Sequence, residues 1–238
     1  MPTNTKIESL NQERLLPFLL NPHSYPHRPS SVRLVQTHAS FVFIAPPYVY
    51  KVKKPVNFGF LDFSTLEKRR HFCEREVLLN RRLSPHIYLG VVPIAAPKGR
   101  FVFGAAGPVV EYAVKMRKLP DGHFLDQLVE HGQVGPAEFK RLVQVLKQFY
   151  QTQQPDADIE SWGRIDRLRI STDENFRQTK EFIGHTLSRA AFEVIRFYTA
   201  CFYAQHKRLF AARIKEHRIR DCHGDLHLEH IHLTPRAL

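Results

Sequence analysis

Near the end of the chain, Asp221-Cys-His-Gly-Asp-Leu-His-Leu-Glu-His-Ile-His-Leu233 sets one acid, Asp225, five residues before His230, with His223 and His227 flanking it. Phosphoryl transfer needs a carboxylate beside the acceptor hydroxyl and a metal ligand a few residues on. Asp225 and His230 stand at that spacing, with His in place of the more usual Asn. Gly224 sits where a tight turn is needed, between a long helical pattern and a β-type apolar pattern.

The elements that must position this loop follow from periodicity. Residues 7–20 carry apolar side chains at helical spacing and predict a leading helix. Stretches 32–36, 40–45 and 48–53 read as an antiparallel meander, with Pro46-Pro47 making a turn. Ser64-Thr-Leu-Glu67 has the form of a capping box and opens a helix that runs to about Ser84-Pro85. Further strands are expected over 88–94, 100–103 and 109–117. Helices are expected over 126–130, 136–151, 173–184 and 188–217, with 155–162 a polar connector. The last helix should bury a stripe of Phe192, Ile195, Tyr198, Phe202, Leu209 and Ile214. A strand-rich first half and a helical second half make an α+β fold.

His223-Gly-Asp-Leu-His227 resembles the catalytic loop of the aminoglycoside phosphotransferase and choline kinase group. Tyr50-Lys-Val-Lys-Lys-Pro-Val56, Phe58-Gly-Phe-Leu-Asp-Phe-Ser-Thr-Leu-Glu-Lys-Arg-Arg70 and His223-Gly-Asp-Leu-His-Leu-Glu-His230 narrow the likeness. They resemble a bacterial branch in which this domain precedes a P-loop ATPase domain. The likeness covers nearly the whole chain. It implies a protein-kinase-like two-lobed fold, with an antiparallel-sheet N-lobe over 1–112 and a helical, incomplete C-lobe over 113–238. The implied cofactors are ATP and Mg²⁺, and the implied reaction moves the γ-phosphoryl group to a hydroxyl of a small molecule.

By the same resemblance, Lys51 would hold the phosphates, with Lys53 the alternative on the same strand face. Glu76 would fix that lysine by an ion pair, with Glu74 the alternative. The Glu111 carbonyl and the Ala113 amide would bond the adenine edge, with Val110 behind the base. Asp225 would orient or deprotonate the acceptor, and His230 would hold metal. His223 would pack the loop, while His227 stays open between loop architecture and substrate contact. No Gly-rich phosphate loop is present; Thr37-His-Ala-Ser40 occupies that turn, so its amides or hydroxyls would have to serve.

The family supplies a second metal-binding Asp on a strand after the loop, whereas Leu233-Thr-Pro-Arg-Ala-Leu238 contains no acid. The expectation is a truncated large lobe with apolar surface exposed, and a second reading as a non-catalytic nucleotide- or partner-binding module. His223, His227, His230 and His232, with Asp225 and Glu229, raise a zinc site as a rival, although no HExxH pattern is present.

The formal net charge of +12, with clusters at 51–54, 68–70 and 164–169, invites a nucleic-acid reading. Zinc-finger spacing, an RNP-like motif and a basic zipper are all missing, which weighs against sequence-specific binding. A basic surface also suits a nucleotide. No apolar run reaches the roughly 20 residues that span a bilayer. The first ten residues lack a signal-peptide pattern, and three scattered cysteines fit a reducing cytoplasm. A sugar, an amino alcohol or an aminoglycoside would each offer a hydroxyl to Asp225.

Overall fold

In the computed structural model, which describes residues 14–234, the alternating pattern at 33–53 forms the expected meander. Strands β1 (Arg33–Gln36), β2 (Ser40–Ala45) and β3 (Tyr48–Lys53) pair antiparallel, with Val42 opposite Lys51 and Ser40 opposite Lys53. They are followed by β4 (Tyr88–Ala95), β5 (Val102–Phe103) and β6 (Val109–Arg117). The sheet order is β1-β2-β3-β6-β4-β5, so β6 returns to the centre between β3 and β4.

Successive strand residues face opposite sides, and here the two sides differ in purpose. Phe43, Ala45, Tyr50, Val52, Ile94 and Ala113 bury against Leu15, Leu19 and Tyr25. Leu15 and Leu19 come from helical turns at 14–20; Ile7 and Leu10 of the expected leading helix lie outside the described residues. The opposite side receives helix α1 (Leu66–Asn80), whose Cys73 and Val77 pack on Val114 beside Tyr88, Val91, Tyr112 and Met116. Lys51 and Lys53 alternate with Tyr50 and Val52, and so project on the α1 side.

The helix starts one residue later than the capping box predicts. Thr65 is its N-cap, accepting from the Lys68 amide, because Ser64 is drawn to Asp62, which accepts from both its amide and its hydroxyl. Gly59, at φ 82°, lets the preceding aromatic loop turn, and its amide donates to Asn57 Oδ1 at 2.9 Å.

The chain divides into two compact units, 1–131 and 132–238. The expected division at 112/113 falls inside β6, a continuous strand. Helix α2 (Leu125–Glu130) ends the first unit. The second holds α3 (Pro136–Thr152), α4 (Ala157–Ser161), α5 (Ile165–Thr179), α6 (Arg189–Gln205) and α7 (Lys207–Lys215). Three expectations are corrected here. The connector at 155–162 contains α4, nucleated by Asp156 accepting from the Ile159 amide at 2.8 Å. The run predicted to start at 173 begins at Ile165, supported by an Arg169–Asp173 pair one turn apart. The long last helix breaks at His206, whose φ −104° and ψ 23° leave helical geometry.

The expected buried stripe is also corrected. Phe192 is buried, but Ile195, Tyr198 and Leu209 are exposed, as are Val194 and Phe197. Their spacing is helical, yet no layer among the described residues covers that face.

Candidate functional site

Lys51 and Lys53 converge on one carboxylate. Lys51 Nζ donates to Glu76 Oε1 at 2.9 Å, and Lys53 Nζ donates to Glu76 Oε2 at 2.6 Å. The pairing joins the second half of β3 to the C-terminal half of α1, and it exists because Lys51 and Lys53 project on the side of the sheet that α1 covers. Burial by itself would raise the Glu76 carboxyl; the two ammonium groups outweigh it and hold the carboxyl below its ordinary value of 4.5. The lysine environments differ. The Lys53 side chain is 6% exposed and lies 4.7 Å over the Phe63 ring, whereas the Lys51 side chain is 31% exposed. Glu74, the alternative partner, instead forms an exposed pair with Arg70 on the outer side of α1. A shallow groove near it, lined by Leu66, Arg70, His71 and Tyr112, is separate from these lysines.

Glu111 is part of a different construction. Its carboxylate accepts from Arg69 Nε at 2.9 and 3.0 Å, and Arg69 Nη1 donates to the Phe63 carbonyl at 3.1 Å. Both side chains are only 1% exposed. This buried pair ties the aromatic loop and α1 to β6. Periodicity does not announce it: Arg69 reads as one more surface base in Lys-Arg-Arg, and the signal available was an acid inside a strand otherwise fit for burial.

The residues expected at the adenine edge, Glu111 and Ala113, both lie in β6. Ala113 is fully buried, flanked by Val52 of β3 and Val92 of β4, and Glu111 is opposite Ile94 in the ladder. A base edge needs backbone groups at an open margin; Ala113 is paired on both sides, and Glu111 is paired with β4. The chain leaves the ladder only after Arg117.

At the turn that stands where a phosphate loop was sought, the Thr37 amide donates to the Ser40 carbonyl and the Ser40 amide to Thr37 Oγ1. Lys54 Nζ donates to the Thr37 carbonyl at 2.7 Å. The Thr37 hydroxyl and the Ser40 amide and carbonyl are thus occupied in closing the turn. The amides of His38 and Ala39 remain, with no acceptor among the described residues.

Asp225 lies in the second unit, on a loop with little cover; its side chain is 67% exposed. Gly224 supplies φ 81°, a left-handed value that an L side chain would strain, and so makes the predicted turn. The Asp225 amide donates to His223 Nδ1 at 3.3 Å. His227 Nε2 lies 2.8 Å from Asp225 Oδ1, and His230 Nδ1 donates to the Asp225 carbonyl at 2.8 Å. His223 therefore closes the loop and His227 holds the acid. His230 sits on a single 3₁₀ turn, Leu228–His230, and not on the strand expected to follow. Ile231 and Leu233 are buried beyond it, which keeps the alternation of that pattern.

With Nδ1 spent on the Asp225 carbonyl, His230 offers a metal only Nε2. Among the described residues no group of three or more His, Cys, Asp or Glu side chains is arranged to hold a metal ion. One carboxylate and imidazole nitrogens do not suit Mg²⁺, which wants oxygen. The zinc rival meets the same shortfall in donors.

The basic clusters dissolve on folding. Lys51 and Lys53 meet Glu76, Lys68 meets Asp62, Arg69 meets Glu111 and Arg70 meets Glu74. Arg164 pairs with Asp166, Arg169 with Asp173, and Arg167 lies over the Trp162 ring. Most of these bases meet an acid, although Lys51 and Lys53 share one, Lys54 meets the Thr37 carbonyl and Arg167 a ring.

The chain is 32% identical over 199 residues to an uncharacterised protein of Mycobacterium bovis and to one from each of two strains of Mycobacterium tuberculosis. The alignment takes in 84% of this chain and 38% of each relative, so the chain spans well under half the length of the curated relatives it matches. No family model matches the chain. No solved structure matches it. Among the described residues, no helix is long and apolar enough to cross a membrane.

Proposed function

We propose that the chain carries a kinase-like phosphotransferase domain of the aminoglycoside phosphotransferase and choline kinase type. In this reading it moves the γ-phosphoryl group of ATP to the hydroxyl of a small molecule in the cytoplasm, and its two units correspond to the two lobes. The observation that carries the reading is the Lys51–Glu76 pair between strand and helix, 2.9 Å long and mostly buried. An ion pair of this kind, from a strand lysine to a helix glutamate, positions nucleotide phosphates in kinases.

Lys51 binds and offsets the phosphates, and Glu76 fixes its ammonium group. The acceptor hydroxyl gives its proton to the Asp225 carboxylate as its oxygen bonds to the γ-phosphorus. The bond from that phosphorus to the β,γ-bridging oxygen breaks, and ADP leaves with the electron pair. His227 orients the acid through its Nε2 contact with Oδ1. A metal arriving with the nucleotide would supply charge neutralisation; His230, its Nδ1 bonded to the Asp225 carbonyl, offers only a nitrogen and does not suit Mg²⁺.

A second reading, a nucleotide-binding module without transfer, is favoured by one observation: the acid-bearing loop is exposed and lacks a three-donor metal cluster. Turnover separates the two. Labelled ATP is incubated with sugars, amino alcohols and aminoglycosides in turn. Transfer that disappears in Asp225→Asn supports the phosphotransferase, whereas nucleotide binding with no transfer to any acceptor supports the module.

A further inference from the structure

Two ammonium groups on a single carboxylate are more than a structural bolt requires. Taking a charge out of water is costly unless it is paired, and one lysine would neutralise Glu76. The second leaves the cluster with a net charge of +1, from Lys51, Lys53 and Glu76. Where that excess resides follows from burial. Lys53 is almost entirely enclosed, takes Oε2 at the shorter distance of 2.6 Å, and rests on the Phe63 ring. Lys51 is the more exposed and takes Oε1 at 2.9 Å; among the described residues its other N–H groups meet no acceptor. The register adds further donors nearby: Lys53 is opposite Ser40, which closes the turn carrying the His38 and Ala39 amides.

We propose that Lys53 is a positioning residue that neutralises Glu76 from the buried side, leaving the charge of Lys51 for a phosphate-bearing anion. This rests on the nucleotide reading above and divides the two lysines between its roles. Lys53 never touches the ligand, yet its charge sets how strongly Lys51 attracts one. Without Lys53, Glu76 would turn wholly to Lys51 and cancel it.

The test titrates MgATP into the full chain by calorimetry, comparing wild type with Lys51→Met, Lys53→Met and the double variant Lys53→Met/Glu76→Gln. Thermal melts check that each is folded. Lys53→Met keeps the Lys51–Glu76 pair, and the double variant removes both buried charges together, so neither strands an unpaired ion. Lys53→Met should bind MgATP about tenfold more weakly, the size expected when a nearby charge is cancelled at the protein surface. Adding Glu76→Gln should recover about threefold of that loss, since it lifts the charge that cancels Lys51, but should stay short of wild type because Lys51 also loses its anchor. Lys51→Met should lose binding by more than either. A merely structural Lys53 would instead give losses that accumulate, the double variant binding no better than Lys53→Met; that result, or full binding by Lys53→Met, overturns the proposal. Failure of the folded wild type to bind MgATP would overturn the nucleotide reading itself, and this inference with it.

Discussion

The two candidate sites are built in opposite ways. The lysine–glutamate cluster sits between a sheet and a helix, with Glu76 only 13% exposed and both of its oxygens engaged. Asp225 is 67% exposed on a loop held by contacts within a few residues of itself. Low-dielectric surroundings strengthen charge interactions and fix them in place; solvent weakens them and lets them move. The first site is therefore fixed in place, and the second depends on its own loop for shape. The contrast also separates stability from chemistry. Damage to the first unit should show in folding, while damage to the Asp225 loop should show in turnover alone.

The largest effect is expected at the buried pair beneath the first site. Glu111→Ala removes the carboxylate that Arg69 Nε meets in the interior and should destabilise by about 3–5 kcal/mol, measured by urea unfolding. If the loss is below 1 kcal/mol, the claim that the first unit is electrostatically locked fails.

In the second unit the sharpest packing constraint is Gly163, where an added Cβ would lie 2.6 Å from Ile219 Cγ1 and 2.8 Å from Ile214 Cγ1. Gly163→Ala should cost about 1–3 kcal/mol by overpacking. Unchanged thermal stability would mean that those side chains can retreat, and that this unit is looser than its contacts imply.

A pH titration sharpens the comparison further. The Glu76 carboxyl is lowered from 4.5 by Lys51 and Lys53, against the opposing effect of burial. A depressed folded value makes its stabilising contribution complete above the unfolded value, and lost as pH falls through the folded one. Wild type should therefore lose stability below about pH 4.5, the unfolded value for Glu. Glu76→Gln should flatten that acid limb, as followed by thermal melts across pH.

The smallest stability change belongs to Asp225→Asn. Exposed as it is, the substitution should shift stability by no more than about 0.5 kcal/mol. Phosphoryl transfer, by contrast, should fall about 100-fold or more if the acid takes the acceptor proton. A large stability loss with little effect on turnover would reverse the contrast between the two sites.

Part of the first site was legible from local pattern: alternation at 40–53 puts Lys51 and Lys53 on one face. The choice of Glu76 over Glu74, and of Lys51 over Lys53, came from the family resemblance and not from spacing. What periodicity could not say was that both lysines share the same glutamate, since that depends on how far α1 slides along the sheet. The Glu111–Arg69 pair was hidden for a similar reason: its partners are 42 positions apart, and a buried arginine looks like a surface one in sequence. Where the chain leaves the sheet was also not legible: β6 continues to Arg117, past Glu111 and Ala113. In the second unit helical spacing marked apolar faces correctly as faces, but burial needs a covering layer, and Ile195 and Tyr198 have none among the described residues.

The most direct test of the central claim is MgATP binding by the folded chain, measured beside Lys51→Met and Asp225→Asn. Wild type should bind, with binding retained in Asp225→Asn and lost in Lys51→Met, because the proposed anion site and the acid are separate constructions. Equal binding by wild type and Lys51→Met, or none by either, would contradict it.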